Sequence, residues 1–169
     1  GILGTKGVQF NYKDETAEVK NLLSASKSFT VSTWVKNKRD WGSKRGTIWK
    51  LGNGRAFIRD DPRDIWGDGV VFGWYSNGKA YGLTPRANLE NDKWYHLVAT
   101  YNASLGNYSF YIDGKEVRDS PEISGSSEKP LFYGNGDNVM GERFYGNIDE
   151  TKVFNRPLSH KEVKELALS

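Results

Sequence analysis

The chain has 169 residues, a formal charge of +3 and 37% hydrophobic, 14% aromatic and 27% charged residues. This length fits one domain that buries roughly 70% of its unfolded surface, and the composition is too apolar and too aromatic for a disordered protein. No apolar run approaches the ~18 residues of a membrane span, and the basic residues are interleaved with 21 acidic ones. We therefore expect no membrane span and no nucleic-acid partner.

Cysteine is absent, which excludes disulfides, zinc–thiolate sites and a cysteine nucleophile. Nineteen glycines and abundant tyrosine, phenylalanine and tryptophan favour strands joined by tight turns. The chain opens at Gly1 without an initiator methionine or a signal-like apolar stretch. This indicates a mature or excised piece of a larger protein.

The first strongly predicted strand covers residues 29–36, where apolar and polar side chains alternate. Trp34 falls in the more polar row, so either the strand carries a bulge or Trp34 lies on the outer face of its sheet. Further strands are predicted at residues 47–51 and 70–76. The polar stretch that holds residues 60–64 is interpreted as a long surface loop.

A hairpin is predicted from residues 108–112 and 115–117, which flank the turn residues Asp113 and Gly114. An Asp-Gly pair between alternating apolar runs is a strong hairpin signal. A strongly β-favouring strand at residues 94–101 precedes this hairpin.

The last part of the chain predicts strands at residues 130–133 and 143–153, joined through a turn-rich loop at 134–138. One helix closes the chain. Ser159 is its expected N-cap, and Glu162 is three residues later, where a capping-box partner belongs.

Five segments of the chain form an ordered set of motifs. They are Gly7-Val-Gln-Phe10, Phe29-Thr-Val-Ser-Thr-Trp-Val35, Trp94-Tyr-His-Leu-Val-Ala-Thr-Tyr101, Tyr108-Ser-Phe-Tyr-Ile-Asp-Gly-Lys115 and Gly146-Asn-Ile-Asp-Glu-Thr-Lys-Val-Phe-Asn-Arg-Pro-Leu158. In order and spacing they resemble the laminin G-like jelly roll of the concanavalin A-like lectin and glucanase superfamily, with residues 7–10 as the family's first strand. The resemblance implies an all-β fold, a two-sheet antiparallel β-sandwich (jelly roll) with one short C-terminal helix, over residues 1–169 as a single domain.

Glucanases with this fold carry Glu-x-Asp-x-x-Glu on a strand, because retaining hydrolysis needs two carboxyl groups about 5 Å apart. The nearest match begins at Glu90 and Asp92, but Tyr95 stands in the place of the second glutamate. Asp149 and Glu150 are adjacent, so on a regular strand their side chains point to opposite faces. We therefore expect no catalytic residues and no enzymatic activity.

The two histidines, His96 and His160, are interpreted as a half-buried strand residue and a residue at the start of the helix. The sequence contains no Gly-rich phosphate loop, zinc signature or EF-hand loop.

Sugars are bound by aromatic rings that stack on their C–H faces, with polar side chains around the ring. Trp41 and Trp66 lie in charged, glycine-containing surroundings that cannot be core strands. We predict both as ligand contacts, together with Arg39, Arg63 and Asp64. The alternative is that each indole folds back over the end of the sandwich.

Trp49 and Trp94 lie in β-rich runs and are predicted to pack in the core. Trp74 and Tyr75 alternate faces, so one of them is expected at a sheet surface, where Tyr81 joins it. Trp74 and Tyr81 are therefore added to the predicted ligand contacts.

The segment over residues 36–45 holds five cations against one acid, Asp40. If Trp41 contacts the ligand, this charge favours sulfated or uronic-acid glycans, whose binding weakens with salt. The alternative is a solvated loop.

The resemblance also implies a structural calcium ion that holds the first strand to the last. Asn11 and Asp14 correspond to the family's Asp-Gly-x-x-Asp segment, and Asp149 to the aspartate of its closing strand. Here Asn11 replaces an aspartate and Tyr12 a glycine. Oxygen ligands from two distant segments suit calcium.

These observations predict a non-catalytic, lectin-like carbohydrate-binding module of a larger secreted or surface protein. Its ligand is expected to be an oligo- or polysaccharide, and its location extracellular or surface-associated. The alternative is a protein–protein interaction or assembly module on a cell or particle surface, with a protein partner or the parent multidomain chain in contact with its faces.

Overall fold

The computed structural model describes residues 8–11, 16–19, 28–38, 46–51, 56–61, 69–76, 79–117 and 138–169. Within them lie twelve strands and one helix, and that helix is too short and too polar to cross a membrane. The strands are β1 (Val8–Asn11), β2 (Ala17–Val19), β3 (Phe29–Asn37), β4 (Gly46–Leu51), β5 (Ala56–Asp61), β6 (Gly69–Ser76), β7 (Lys79–Leu83), β8 (Trp94–Asn102), β9 (Asn107–Ile112), β10 (Lys115–Val117), β11 (Asn138–Met140) and β12 (Tyr145–Phe154), and the helix is α1 (His160–Leu168).

The described strands form two six-stranded sheets. Sheet A has the order β1-β12-β3-β8-β9-β10, and sheet B the order β2-β11-β4-β5-β6-β7. Paired strands within both sheets run antiparallel. Side chains from both sheets meet in one buried core, so the predicted two-sheet β-sandwich is confirmed.

Aromatic rings join the two sheets across this core. Phe72 of sheet B lies 6.1 Å from Phe110 and 5.8 Å from Tyr108 of sheet A, measured between ring centroids. Trp49 of sheet B lies 5.9 Å from Phe29 of sheet A. Trp49 is fully buried, as predicted, and each such side chain contributes roughly 1.5–3 kcal/mol by leaving water.

The pairing of β3 decides the position of Trp34. β3 pairs with β8 without interruption, from Phe29 opposite Tyr101 to Lys36 opposite Trp94. The strand therefore has no bulge toward β8. Val35 enters the core, and Trp34 lies on the outer face of sheet A.

The sequence did not predict β5, and its interpretation of residues 60–64 as a loop is wrong for Asp60 and Asp61. Both residues end β5, and Asp60 is 3% exposed. Its Oδ2 accepts a hydrogen bond of 2.9 Å from Nδ2 of Asn37. A charged residue is tolerated inside a sandwich when a partner of this kind compensates its burial.

The predicted hairpin is confirmed, with Lys115 opposite Ile112. Asp113 and Gly114 have φ values of 50° and 77°, as a two-residue turn of this type requires. The Oδ1 atom of Asp113 accepts a hydrogen bond of 2.8 Å from the backbone N–H of His96, which fixes the turn to β8. Of the other predicted elements, residues 130–137 lie outside the described residues, and Asn138 begins β11.

The closing helix begins as predicted, with both hydrogen bonds of the capping box present. Glu162 N–H donates to Ser159 Oγ over 3.3 Å, and Ser159 N–H donates to Glu162 Oε2 over 2.8 Å. The paired guanidinium of Arg156 and this cap lower the pKa of Glu162 to about 2. Val163 then packs against Val98 on the outer face of sheet A.

Substituting Ser159 with alanine is expected to lower the free energy of unfolding by about 1 kcal/mol, because the first turn loses a hydrogen-bond acceptor for its backbone N–H groups. Urea denaturation measures the change. Ser104→Ala, at an exposed serine of the β8–β9 turn, is the control and is expected to change stability by less than about 0.5 kcal/mol. Equal losses in both variants would contradict the capping role.

Candidate functional site

The main predicted ligand contacts lie outside the described residues: Arg39, Trp41, Arg63, Asp64 and Trp66. The described strand ends that flank them are nevertheless informative. Gly46 pairs with Asp60, and Asp61 pairs with Gly69. The segments 39–45 and 62–68 are therefore bounded by strand ends at the same end of the sandwich.

The prediction that Trp74 meets a ligand at a sheet surface is wrong. Trp74 is 7% exposed and lies between the sheets, because it continues the inward row of β6 that holds Phe72. Its ring stacks on Tyr108 at 3.9 Å and on the half-buried Tyr81 at 6.0 Å. Tyr75 takes the outer face instead, 5.6 Å from Phe57.

Half-buried aromatic and polar side chains gather instead on the outer face of sheet A, beyond the part that the helix covers. On neighbouring strands, Lys36 pairs with Trp94 and Asn147, and in the next row Trp34 pairs with Asp149. All five side chains are half-buried. We call this group, Trp34, Lys36, Trp94, Asn147 and Asp149, the tryptophan face.

Strand register brings the two indoles of the tryptophan face together. Trp34 and Trp94 are diagonal neighbours on β3 and β8, so their Cβ atoms lie about 7–8 Å apart. The Nζ atom of Lys36 lies 5.2 Å from the centroid of the Trp94 ring. The prediction that Trp94 packs in the core is wrong, because its neighbour Tyr95 takes the inward position.

His96 pairs with Trp34 across β3 and β8 on the same face of sheet A and is 1% exposed. Its ring centroid is 5.0 Å from that of Trp34, and its Nε2 is 2.8 Å from Ser32 Oγ. Burial, with a smaller contribution from the charge of Lys152, lowers the pKa of His96 to about 4. The imidazole is therefore neutral at pH 7 and packs against the Trp34 indole.

Asp149 borders the tryptophan face at a β-bulge. The register of β12 against β3 shifts between Asp149 and Lys152, and Glu150 has a φ of 45°. Oδ1 of Asp149 accepts a 2.7 Å hydrogen bond from the Glu150 N–H. Its Oδ2 is buried and has no hydrogen-bond partner among the described residues.

The structure describes the strand positions of two of the three predicted calcium ligands, Asn11 and Asp149. Asn11 pairs with Tyr145, four residues before Asp149 along β12, which separates the two positions by about 13 Å. The calcium site therefore stays a prediction. Asp14 lies outside the described residues, and no group of three or more His, Cys, Asp or Glu side chains within the described part is placed to hold a metal ion.

The family comparison agrees with this fold. The sequence model of the concanavalin A-like lectin/glucanases superfamily, Laminin_G_3, matches residues 11–164. The chain belongs to this superfamily.

This superfamily member matches part of one much longer protein. It is 31% identical over 112 residues to the sushi, von Willebrand factor type A, EGF and pentraxin domain-containing protein 1 of Rattus norvegicus. The match includes 57% of this chain and 3% of that protein, so the chain spans a small part of its relative's length.

Two solved structures share the fold of this superfamily member. Domain 4 of AbnA, an extracellular arabinanase of Geobacillus stearothermophilus solved in complex with arabinotriose, is 22% identical with a TM-score of 0.73, covering 99% of this chain and 78% of that one. The heptameric SAP-like pentraxin of Limulus polyphemus is 18% identical with a TM-score of 0.62, covering 97% of this chain and 78% of that one.

Sequence reasoning missed the tryptophan face of this superfamily member, although a signal for it was present. Trp34 falls in the more polar row of its predicted strand, and Trp94 begins the next strand segment of the family pattern. Antiparallel pairing of these two strands in the observed register places both indoles on one face.

Proposed function

We propose that this chain is a non-catalytic carbohydrate-binding module of a secreted or surface protein. Its superfamily is named for lectins and glucanases, and domain 4 of the arabinanase, which shares the fold, was solved with an oligosaccharide. A fold hosts many functions, so the proposal depends on the site.

The observation that carries this proposal is the pair of half-buried indoles on the tryptophan face. An indole is an apolar plate that fits the C–H face of a sugar ring, and the hydroxyl groups around that ring need polar partners. Trp34 and Trp94 supply the plates. Lys36, Asn147 and Asp149 supply donors and acceptors at their edges.

The spacing of the indoles suits an extended ligand. Diagonal neighbours about 7–8 Å apart are close enough for one oligosaccharide to contact both rings. The two strands are paired without interruption here, and the His96 ring packs against Trp34 from the neighbouring strand. The plates are therefore held in place before a ligand arrives, which lowers the entropic cost of binding.

Alanine substitution of either tryptophan is expected to weaken glycan binding by at least about 30-fold, since a central aromatic contact contributes 2 kcal/mol or more. A glycan array identifies a ligand, and affinity electrophoresis or calorimetry then compares Trp34→Ala and Trp94→Ala with the unaltered protein. Tyr75→Ala is the matched control, because Tyr75 is a half-buried aromatic residue on the outer face of the other sheet. Thermal melts establish that each variant is folded.

The possible outcomes test the position of the binding site and the carbohydrate-binding function separately. Binding that survives both substitutions but is lost in Trp41→Ala or Trp66→Ala would support carbohydrate binding and overturn the tryptophan face as its site. Failure to bind any glycan, together with a stable complex that buries the tryptophan face against a protein partner, would support an assembly module and overturn the proposal.

A further inference from the structure

Lys36 is a half-buried cation on the tryptophan face that makes no ion pair with a described carboxylate. Its ammonium group lies over the Trp94 ring, 5.2 Å from the centroid. The face of an indole attracts a cation, but the three N–H donors of an ammonium group cannot be satisfied by a ring alone. The residue therefore offers an unneutralised charge beside an apolar plate.

Nearby lysines differ from Lys36 in this respect. Lys152 lies 3.8 Å from Glu150, and Lys93 lies 3.6 Å from Glu90. Each of these charges is balanced by a carboxylate close to it in sequence. Lys36 is thus the cation of the tryptophan face that no described carboxylate balances, and its charge is available to a bound ligand.

We propose that the ligand is a glycan that carries carboxylate groups, a uronic-acid polymer or oligomer, and that Lys36 and Trp94 together bind one acidic sugar. This inference rests on the proposed function. A carboxylate on a sugar ring projects from the ring's edge, so the ring stacks on Trp94 in place of the ammonium group. Lys36 then moves to the ring edge and pairs with the carboxylate.

The charges around Lys36 and Trp94 also determine where the carboxylate of the ligand is expected to lie. Asp149 belongs to β12, on the other side of β3 from Trp94, and its carboxylate repels an anion near Trp34. Lys38, half-buried two residues beyond Lys36, adds positive charge. The carboxylate of the ligand is therefore expected over Lys36 on the β8 side, away from Asp149.

The test compares each acidic glycan with its own methyl ester, which keeps the ring and the linkage but removes the charge. Polygalacturonate, alginate and hyaluronan are the probes. At least one of them is expected to bind about tenfold more tightly than its ester in 20 mM NaCl, with the difference shrinking in 0.5 M NaCl because the charges are screened. Lys36→Met is expected to remove this preference. Lys115→Met, which removes the same charge at an exposed position on β10, is expected to keep it.

Three results would overturn the inference. Equal binding of acid and ester, unchanged in Lys36→Met, would leave carbohydrate binding intact and remove the charge requirement. A preference abolished by Arg39→Ala but not by Lys36→Met would move the acidic subsite to the segment after β3. Absence of binding to every acid and every neutral glycan would remove the proposed function as well.

Discussion

Replacing Phe72 with alanine is expected to lower the free energy of unfolding by about 3–5 kcal/mol. Phe72 is fully buried, and its ring contacts Trp74 on its own strand and Phe110 on the opposite sheet. The substitution removes apolar area from the core and leaves a cavity between the sheets. Guanidinium or urea denaturation with both fluorescence and circular dichroism measures the loss.

Leu105→Ala is the matched control for this prediction. Leu105 is 63% exposed at the tip of the β8–β9 turn, so its truncation is expected to change stability by less than about 0.5 kcal/mol. A loss below about 1.5 kcal/mol for Phe72→Ala would mean that the aromatic contacts between the sheets do not hold the sandwich together.

Acidification from pH 7 to pH 4.5 is expected to cost about 2–3 kcal/mol of stability through His96 alone. Burial lowers the pKa of His96 to about 4 in the folded protein, compared with 6.5 for an exposed histidine. Between these values the unfolded chain binds a proton that the folded protein does not. The stability that depends on a neutral His96 is therefore fully present above pH 6.5, and it is lost progressively as the pH falls toward 4.

His96→Asn separates this effect from other titrations, because asparagine does not titrate and can still hydrogen-bond to Ser32. The variant is expected to show a flat stability profile between pH 6.5 and 5. Glu142, whose pKa is lowered by its hydrogen bond to Lys50, affects stability only at more acidic pH. Parallel profiles for the variant and the unaltered protein would show that His96 is not the group responsible.

Sequence reasoning succeeded where the signals are local. The Asp113-Gly114 turn fixes its hairpin through backbone conformation, and the Ser159 and Glu162 pair fixes the helix start through two hydrogen bonds within four residues. Neither element needs information from a distant part of the chain. The order of the family segments then supplied the two-sheet architecture.

The sequence could not reveal features that depend on distant partners. The sequence of β5 is polar in its second half, where Arg59, Asp60 and Asp61 follow one another. In the structure, the guanidinium of Arg59 lies 3.8 Å from the centroid of the Phe57 ring. Asp60 accepts a hydrogen bond from Asn37 on the other sheet. Trp74 and Tyr75 do point to opposite faces of their strand, as predicted. Alternation alone, however, does not determine which of the two side chains faces the core. That choice is made by the facing sheet.

The same limit applies to the candidate site. The sequence predicted Trp41 and Trp66 as ligand contacts, because a tryptophan with charged and glycine neighbours can be recognised from the sequence alone. Trp34 and Trp94 lie in ordinary strand patterns, sixty residues apart, and become neighbours only through the pairing of β3 with β8.

The bulge at Glu150 makes this position of β12 uniquely tolerant of a change in chain length. Two residues, Glu150 and Thr151, stand there opposite Thr33. Deleting Glu150 would restore a regular ladder and keep Asp149 outward and Val153 inward, whereas deleting a residue elsewhere in the strand would invert every side chain beyond it. Among homologous sequences, single-residue gaps in this strand should therefore collect at the position after Asp149.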